Sequence, residues 1–204
     1  TTDVLFLLAD DALTTLFGRP RPTGREDPSA TVDEGQLSSF EKAESARLMR
    51  VNHAGEVCAQ ALYRSQALTA RSTTLKKRMI QAAREENDHL LWCENRIKEL
   101  GAKKSLLNPL WYGGSFAIGA VAGLIGDRWN LGFLVETERQ VERHLEGHLD
   151  LLPAQDSRSR AIVKQMKEDE GNHATSALQA GAAPLPQPIK ELMRMASRIM
   201  TKSS

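Results

Sequence analysis

The chain has 204 residues, 41% of them hydrophobic, and its 27 Lys plus Arg against 26 Asp plus Glu leave a net charge of +1. That length suits one domain with a core of its own, and the charge balance argues against nucleic acid as the main partner, because a dedicated binder gathers a basic excess on one face. Cys58 and Cys93 are the only cysteines, too few for a disulfide framework or a four-thiolate metal site, so both are expected as small buried hydrophobes in a reducing compartment.

Residues 1–37 read as an N-terminal arm and linker. The first 17 carry Val4, Leu5, Phe6, Leu7, Leu8, Leu13, Leu16 and Phe17, interrupted by Asp10 and Asp11. This is too short and too charged to span a membrane, and a short helix lying on a partner or on the rest of the fold is expected. The stretch from Gly18 to Pro28 holds three prolines and two glycines, which leaves little room for regular structure.

Residues 38–204 read as an all-α domain. Ser38 and Glu41 have the spacing of a capping box, so a first long helix starts there and runs to about residue 70. A second begins near Thr73 and stops at Gly101, a third runs from Asp127 to Leu152 before Pro153, and a fourth runs from an Asp156 cap to Gly181. Short links make each pair an antiparallel hairpin, and the long connection between pairs lets helices two and three run parallel, as a ferritin-like four-helix bundle requires.

That connection, residues 105–126, contains no charged residue, although 26% of the whole chain is charged. Asn108-Pro109 and Gly113-Gly114 are expected to break it, leaving one helix of about 12 residues from Ser115 to Gly126, roughly 18 Å long and short of a bilayer core. Two readings stay open: a segment that dips into one leaflet, or a crossover buried against the bundle, with Gly119 and Gly123 allowing close contact. The C-terminal helix, residues 189–200, sets Ile189, Leu192, Met193, Ala196, Ile199 and Met200 on one face, with Lys190, Arg194, Arg198 and Lys202 every four residues. Such a helix suits an anionic membrane surface.

The chemistry lies in a motif that occurs twice. Glu86-Asn-Asp-His89 and Glu170-Gly-Asn-His173 are both Glu-x-x-His, preceded by Glu56 and Glu138 at intervals of 30 and 32 residues. A three-residue step on a helix keeps both side chains on one face, and two half-sites of Glu plus Glu-x-x-His on four helices form the recipe for a two-metal carboxylate centre. Four carboxylates and two imidazoles match two divalent cations in charge, and oxygen with imidazole suits iron or manganese. Asp169 and Glu85, one residue before the motif glutamates, are candidates to hold the free imidazole nitrogens. Spacing alone does not separate Glu138 from Glu142. Of His53, His144 and His148, His144 is the candidate for a proton relay, since it follows Glu138 within two turns.

Arg50-Val-Asn-His-Ala-Gly-Glu56, Glu86-x-x-His89, Thr137-Glu138-x-Gln140-Val141 with His144, and Asp169-Glu170-x-x-His173 together resemble the demethoxyubiquinone hydroxylases of ubiquinone biosynthesis. The resemblance runs from about residue 38 to the C-terminus. It implies a ferritin-like di-iron monooxygenase with two Fe2+ per chain, held by Glu56, Glu86, His89, Glu138, Glu170 and His173, which takes Glu138 over Glu142. It also implies O2 and a polyprenylated demethoxy-quinol as substrates, and the penultimate step of the pathway. A peripheral location follows, on the cytoplasmic face of a bacterial inner membrane or the matrix side of a mitochondrial one, with a homo-oligomer and other proteins of the pathway as expected partners. An iron store or a manganese catalase shares the ligand types. A rubrerythrin-like peroxidase usually adds a four-cysteine site that this chain cannot build.

Overall fold

The structure, a computed structural model, describes residues 2–204, and residues 2, 3 and 5 through their backbone alone. The described residues form seven helices: α1 (Thr2–Phe17), α2 (Ser39–Thr69), α3 (Thr73–Glu99), α4 (Asn108–Ile125), α5 (Asp127–Leu151), α6 (Ser157–Gln179) and α7 (Gln187–Ser203). The expected capping box starts α2, with Ser38 N–H donating to the Glu41 carboxylate at 2.8 Å and Glu41 N–H donating to Ser38 Oγ at 3.3 Å. Asp156 caps α6 by accepting from Ser159 N–H at 2.9 Å. Gly101 and Gly181, at φ of 73° and 93°, take the left-handed conformation just past α3 and α6.

Short links fold α2 with α3 and α5 with α6 into antiparallel hairpins, and the two hairpins make the four-helix bundle. Its interior has two apolar layers. Leu48, Met49, Trp92, Cys93, Ile97, Leu145, Ile162 and Met166 form one. Tyr63, Ala67, Leu75, Met79, Leu131, Leu134 and Ala177 form the other. On every bundle helix the motif residues fall between its contributions to these layers, so a polar layer lies between two dry ones.

The crossover corrects the expectation of a broken segment. Helix α4 starts at Asn108 and passes through Gly113-Gly114 without interruption for 18 residues. Pro109 sits in the first turn, where its missing N–H has no partner to lose, and its fixed φ suits a helix start. Glycine lowers helix propensity by only about 1 kcal/mol, which packing on α2 outweighs. The contact is close: a Cβ on Gly119 would collide with Ser65 Oγ, and one on Gly123 with Thr69 Oγ1. One face of α4 is therefore buried against the bundle, while Leu110, Ile118, Val121 and Leu124 on the rest stay largely exposed. Among the described residues, no helix is long and apolar enough to cross a membrane.

Residues 18–38 contain no helix, as their prolines imply, yet they are tied to the bundle. Arg158 donates to the Val32 carbonyl at 3.0 Å, and the buried Arg96 guanidinium holds the Glu34 carboxylate. Gly35 approaches the Gln155 carbonyl so closely that a Cβ would lie 2.6 Å from it. Helix α7 lies over α2 and α5 with no fully buried residue, leaving Leu192, Met195 and Ile199 exposed.

Candidate metal centre

Helices α2, α3, α5 and α6 bring Glu56, Glu86, His89, Glu138, Glu170 and His173 together in the polar layer. Two groups form there, Glu56–Glu86–His89–Glu170 and Glu138–Glu170–His173, and within each the potential ligand atoms lie no more than 4.8 Å apart. Glu86 and Glu170 stand between the halves. Glu86 places one oxygen 2.8 Å from His89 Nδ1 and the other 3.3 Å from His173 Nδ1. Glu170 does the same at 3.5 and 3.6 Å. Glu56 belongs to the His89 side, with an oxygen 3.7 Å from its Nδ1.

Both imidazoles turn Nδ1 inward and Nε2 outward. His89 Nε2 donates to Asp169 on α6 at 2.9 Å, and His173 Nε2 donates to Glu85 on α3 at 2.8 Å. The two outer carboxylates expected from sequence are thus in place, but crossed, because each serves the histidine of the other helix. The crossing fixes which nitrogen is free to bind a cation, as outer carboxylates do in metal sites.

The donor set fits a pair of cations on an observation of its own. Both Glu86 oxygens, Glu56 Oε2, Glu170 Oε2, and Nδ1 of His89 and His173 are buried without a hydrogen-bond partner. Buried polar atoms are nearly always paired, so six orphans pointing at one space mark a place for charge. Oxygen and imidazole together suit iron or manganese. In the protein alone protons stand in. Burial drives the carboxyls of Glu56 and Glu138 well above the usual range. Burial works against charge on His89 and His173, but Glu86 and the other carboxylates around them overcome it and hold both imidazoles protonated. Burial also raises Glu86, yet the two histidines outweigh it and hold this carboxylate ionised.

Glu138 and Glu142 separate here. Glu138 is buried and accepts a hydrogen bond from the Tyr63 hydroxyl, while Glu142 lines a groove on the outer side of α5 and α6. Tyr63 was missed from sequence, although it lies seven residues, two helical turns, after Glu56 and so shares its face. His144 joins neither ligand group. Its ring lies 3.9 Å from that of His148, beside a groove that Arg47, Arg143 and Thr201 also line. His53 is buried against Asn108, and burial lowers its pKa to about 3. Cys93 is buried with its thiol toward Met166 Sδ, and burial pushes Cys58 up to about 11, so neither thiol is a ligand in waiting.

Comparison with known proteins places this geometry. The sequence profile described as "Ubiquinone biosynthesis protein COQ7" matches residues 43–204. A relative from Nitrosococcus oceani, named 3-demethoxyubiquinol 3-hydroxylase, is 58% identical over 202 residues, 99% of this chain and 94% of its own. One of the same name from Nitrosomonas eutropha is 60% identical over 99% of this chain and 97% of its own. Among solved structures, the dodecameric thioferritin of Bacteroides fragilis superposes with a TM-score of 0.57 at 18% identity, covering 77% of this chain and 90% of its own. That likeness shows a ferritin-like fold.

Proposed function

The chain belongs to the COQ7 family of ubiquinone biosynthesis proteins, and on that premise we propose that it is a di-iron 3-demethoxyubiquinol 3-hydroxylase. The reaction adds one oxygen atom from O2 to the ring of a polyprenylated demethoxy-quinol. The observation that carries the iron assignment is the set of six orphaned buried atoms on Glu56, Glu86, Glu170, His89 and His173.

Glu56, Glu86, His89 and Glu170 would hold one iron, and Glu138, Glu170 and His173 the other. The bound pair supplies the electrons and Lewis acidity that O2 activation needs. The rest is the work of the chain. Asp169 and Glu85 orient the imidazoles, Tyr63 fixes Glu138, and the two apolar layers keep bulk water from the centre. Burial on four long helices makes the site rigid, which suits the positioning of an electron-rich ring.

A substrate with an isoprenoid tail needs a route from lipid. The exposed apolar residues of α4 and α7 support a peripheral seat on the membrane, since both helices lie against α2 and α5. Arg198 and Lys202 of α7 are exposed and suit anionic headgroups. In a bacterial cell this seat is the cytoplasmic face of the inner membrane.

The test is anaerobic loading with Fe2+, metal analysis, then addition of a demethoxy-quinol, reductant and O2 with mass-spectrometric detection of product. About two irons per chain and a product heavier by one oxygen are expected. Protein that takes up no iron, or that takes it up and leaves the quinol unchanged, contradicts the assignment.

A further inference from the structure

The two halves of the centre are built alike but supported differently. His173 is 15% exposed and its partner Glu85 33%, with Gln81 as the neighbour that steadies Glu85. His89 is fully buried and its partner Asp169 is 14% exposed. On that side the extended N-terminal segment closes over the bundle, and its residues 18–38 lie outside the stretch matched by the family profile.

Two contacts seat the segment there. Thr23 donates to Asp88 on α3 from its backbone N–H at 2.8 Å and from its hydroxyl at 2.5 Å, and Asp88 is wholly buried. Two residues on, Arg25 donates to Asp169 Oδ2 at 2.7 Å, the same oxygen that accepts from His89 Nε2 at 2.9 Å. The Arg25 guanidinium also stands 5.1 Å from the centre of the Trp92 ring, and Trp92 packs against His89 at 5.3 Å. Arg25 therefore meets the surroundings of His89 at two points, through a charge-assisted hydrogen bond and through an aromatic face.

We propose that Arg25 is a positioning residue for the metal centre: by pinning Asp169 and capping Trp92 it locks His89, and so makes the cation on the His89 side the more slowly released of the two. This rests on the di-iron reading above. Without Arg25, Asp169 keeps Gln165 at one oxygen, at 3.1 Å, and His89 itself at the other, and the carboxylate gains freedom to turn toward water. His89 then loses the fixed acceptor that orients its inward nitrogen. Loss of an outer-shell partner weakens metal binding about 10- to 100-fold, and Arg25 acts one residue further out, so a change of about tenfold is expected.

The test is release of iron to ferrozine from anaerobically loaded full-length protein. Wild type should release its two irons in two phases. Arg25→Ala should speed the slow phase about tenfold and the fast phase far less, since Arg25 reaches Glu85 on the other side only through its charge, and Arg25→Lys should restore most of the slow phase. Far-UV circular dichroism confirms folding; if Arg25→Ala does not fold, Arg25→Gln is read in the same way. A single phase in wild type, or an Arg25 variant that leaves the slow phase as it was or speeds both phases alike, overturns the proposal. Wild type that takes up no iron at all contradicts the di-iron reading instead, so the two failures are distinct.

Discussion

His89 on α3 donates its Nε2–H to Asp169 on α6 at 2.9 Å, and this bond crosses between the two hairpins. The reverse crossing joins His173 to Glu85. The residues that orient these imidazoles therefore also fasten α3 to α6, which would couple metal binding to the packing of the bundle. Asp169→Asn should lower iron affinity about 10- to 100-fold, while the half-exposed Glu85 makes Glu85→Gln the milder change. Competition with a chelator measures both; equal, negligible losses contradict the crossed arrangement.

Metal binding should release protons. In the protein alone Glu56, Glu138, His89 and His173 are all shifted toward their protonated forms. Two divalent cations would displace protons from these groups, so affinity should fall as pH falls. Titration calorimetry in buffers of different ionisation enthalpy gives the count. Release of fewer than two protons per chain would count against the charge exchange.

His53 gives a second pH effect, of stability. Its folded pKa is lowered by burial to about 3 from an ordinary value near 6.5. Between those values the unfolded chain binds a proton there that the folded chain refuses, so this residue costs stability progressively as pH falls through 6.5. Other groups also titrate, and comparison with His53→Gln cancels them. The deficit of the variant at pH 7 should narrow by about 2 kcal/mol at pH 5. A constant deficit, measured by urea unfolding of the metal-free proteins, would show that His53 does not remain neutral when folded.

Membrane contact should depend on the outer face of α4. Leu110, Val121 and Leu124 are each at least 60% exposed, while Trp111 and Phe116 are half-buried against the bundle. Replacing the exposed three with Asp should abolish co-sedimentation with anionic vesicles, and Arg198→Gln with Lys202→Gln should weaken it and reduce its sensitivity to salt. Unchanged binding would place the contact elsewhere.

Much of this was legible because helices write their register into sequence. The Glu-x-x-His pairs, the Ser38–Glu41 box and the Gly101 and Gly181 stops are local patterns, and the four long helices follow them closely. Glu138 and Glu142 share a face at a spacing of four, so spacing leaves both open and only the resemblance prefers Glu138, which the fold buries while Glu142 lies in an outer groove. The crossover departs from its sequence pattern because proline and glycine signal breaks in isolation, whereas Pro109 falls in the first turn and tertiary contact with α2 carries the glycines. Arg25 and Thr23 left no sequence signal, since a segment without periodicity does not say what it covers.

A bundle that holds two irons and uses them on a quinol ring must show both in one reaction. The most direct measurement loads the protein anaerobically with Fe2+ and supplies demethoxy-quinol, reductant and 18O2. About two irons per chain and a hydroxylated quinol carrying one 18O atom are expected, with both lost in Glu170→Ala, whose carboxylate lies between the two halves. Iron-loaded protein that returns the quinol unchanged, or a product whose new oxygen comes from water, would contradict it.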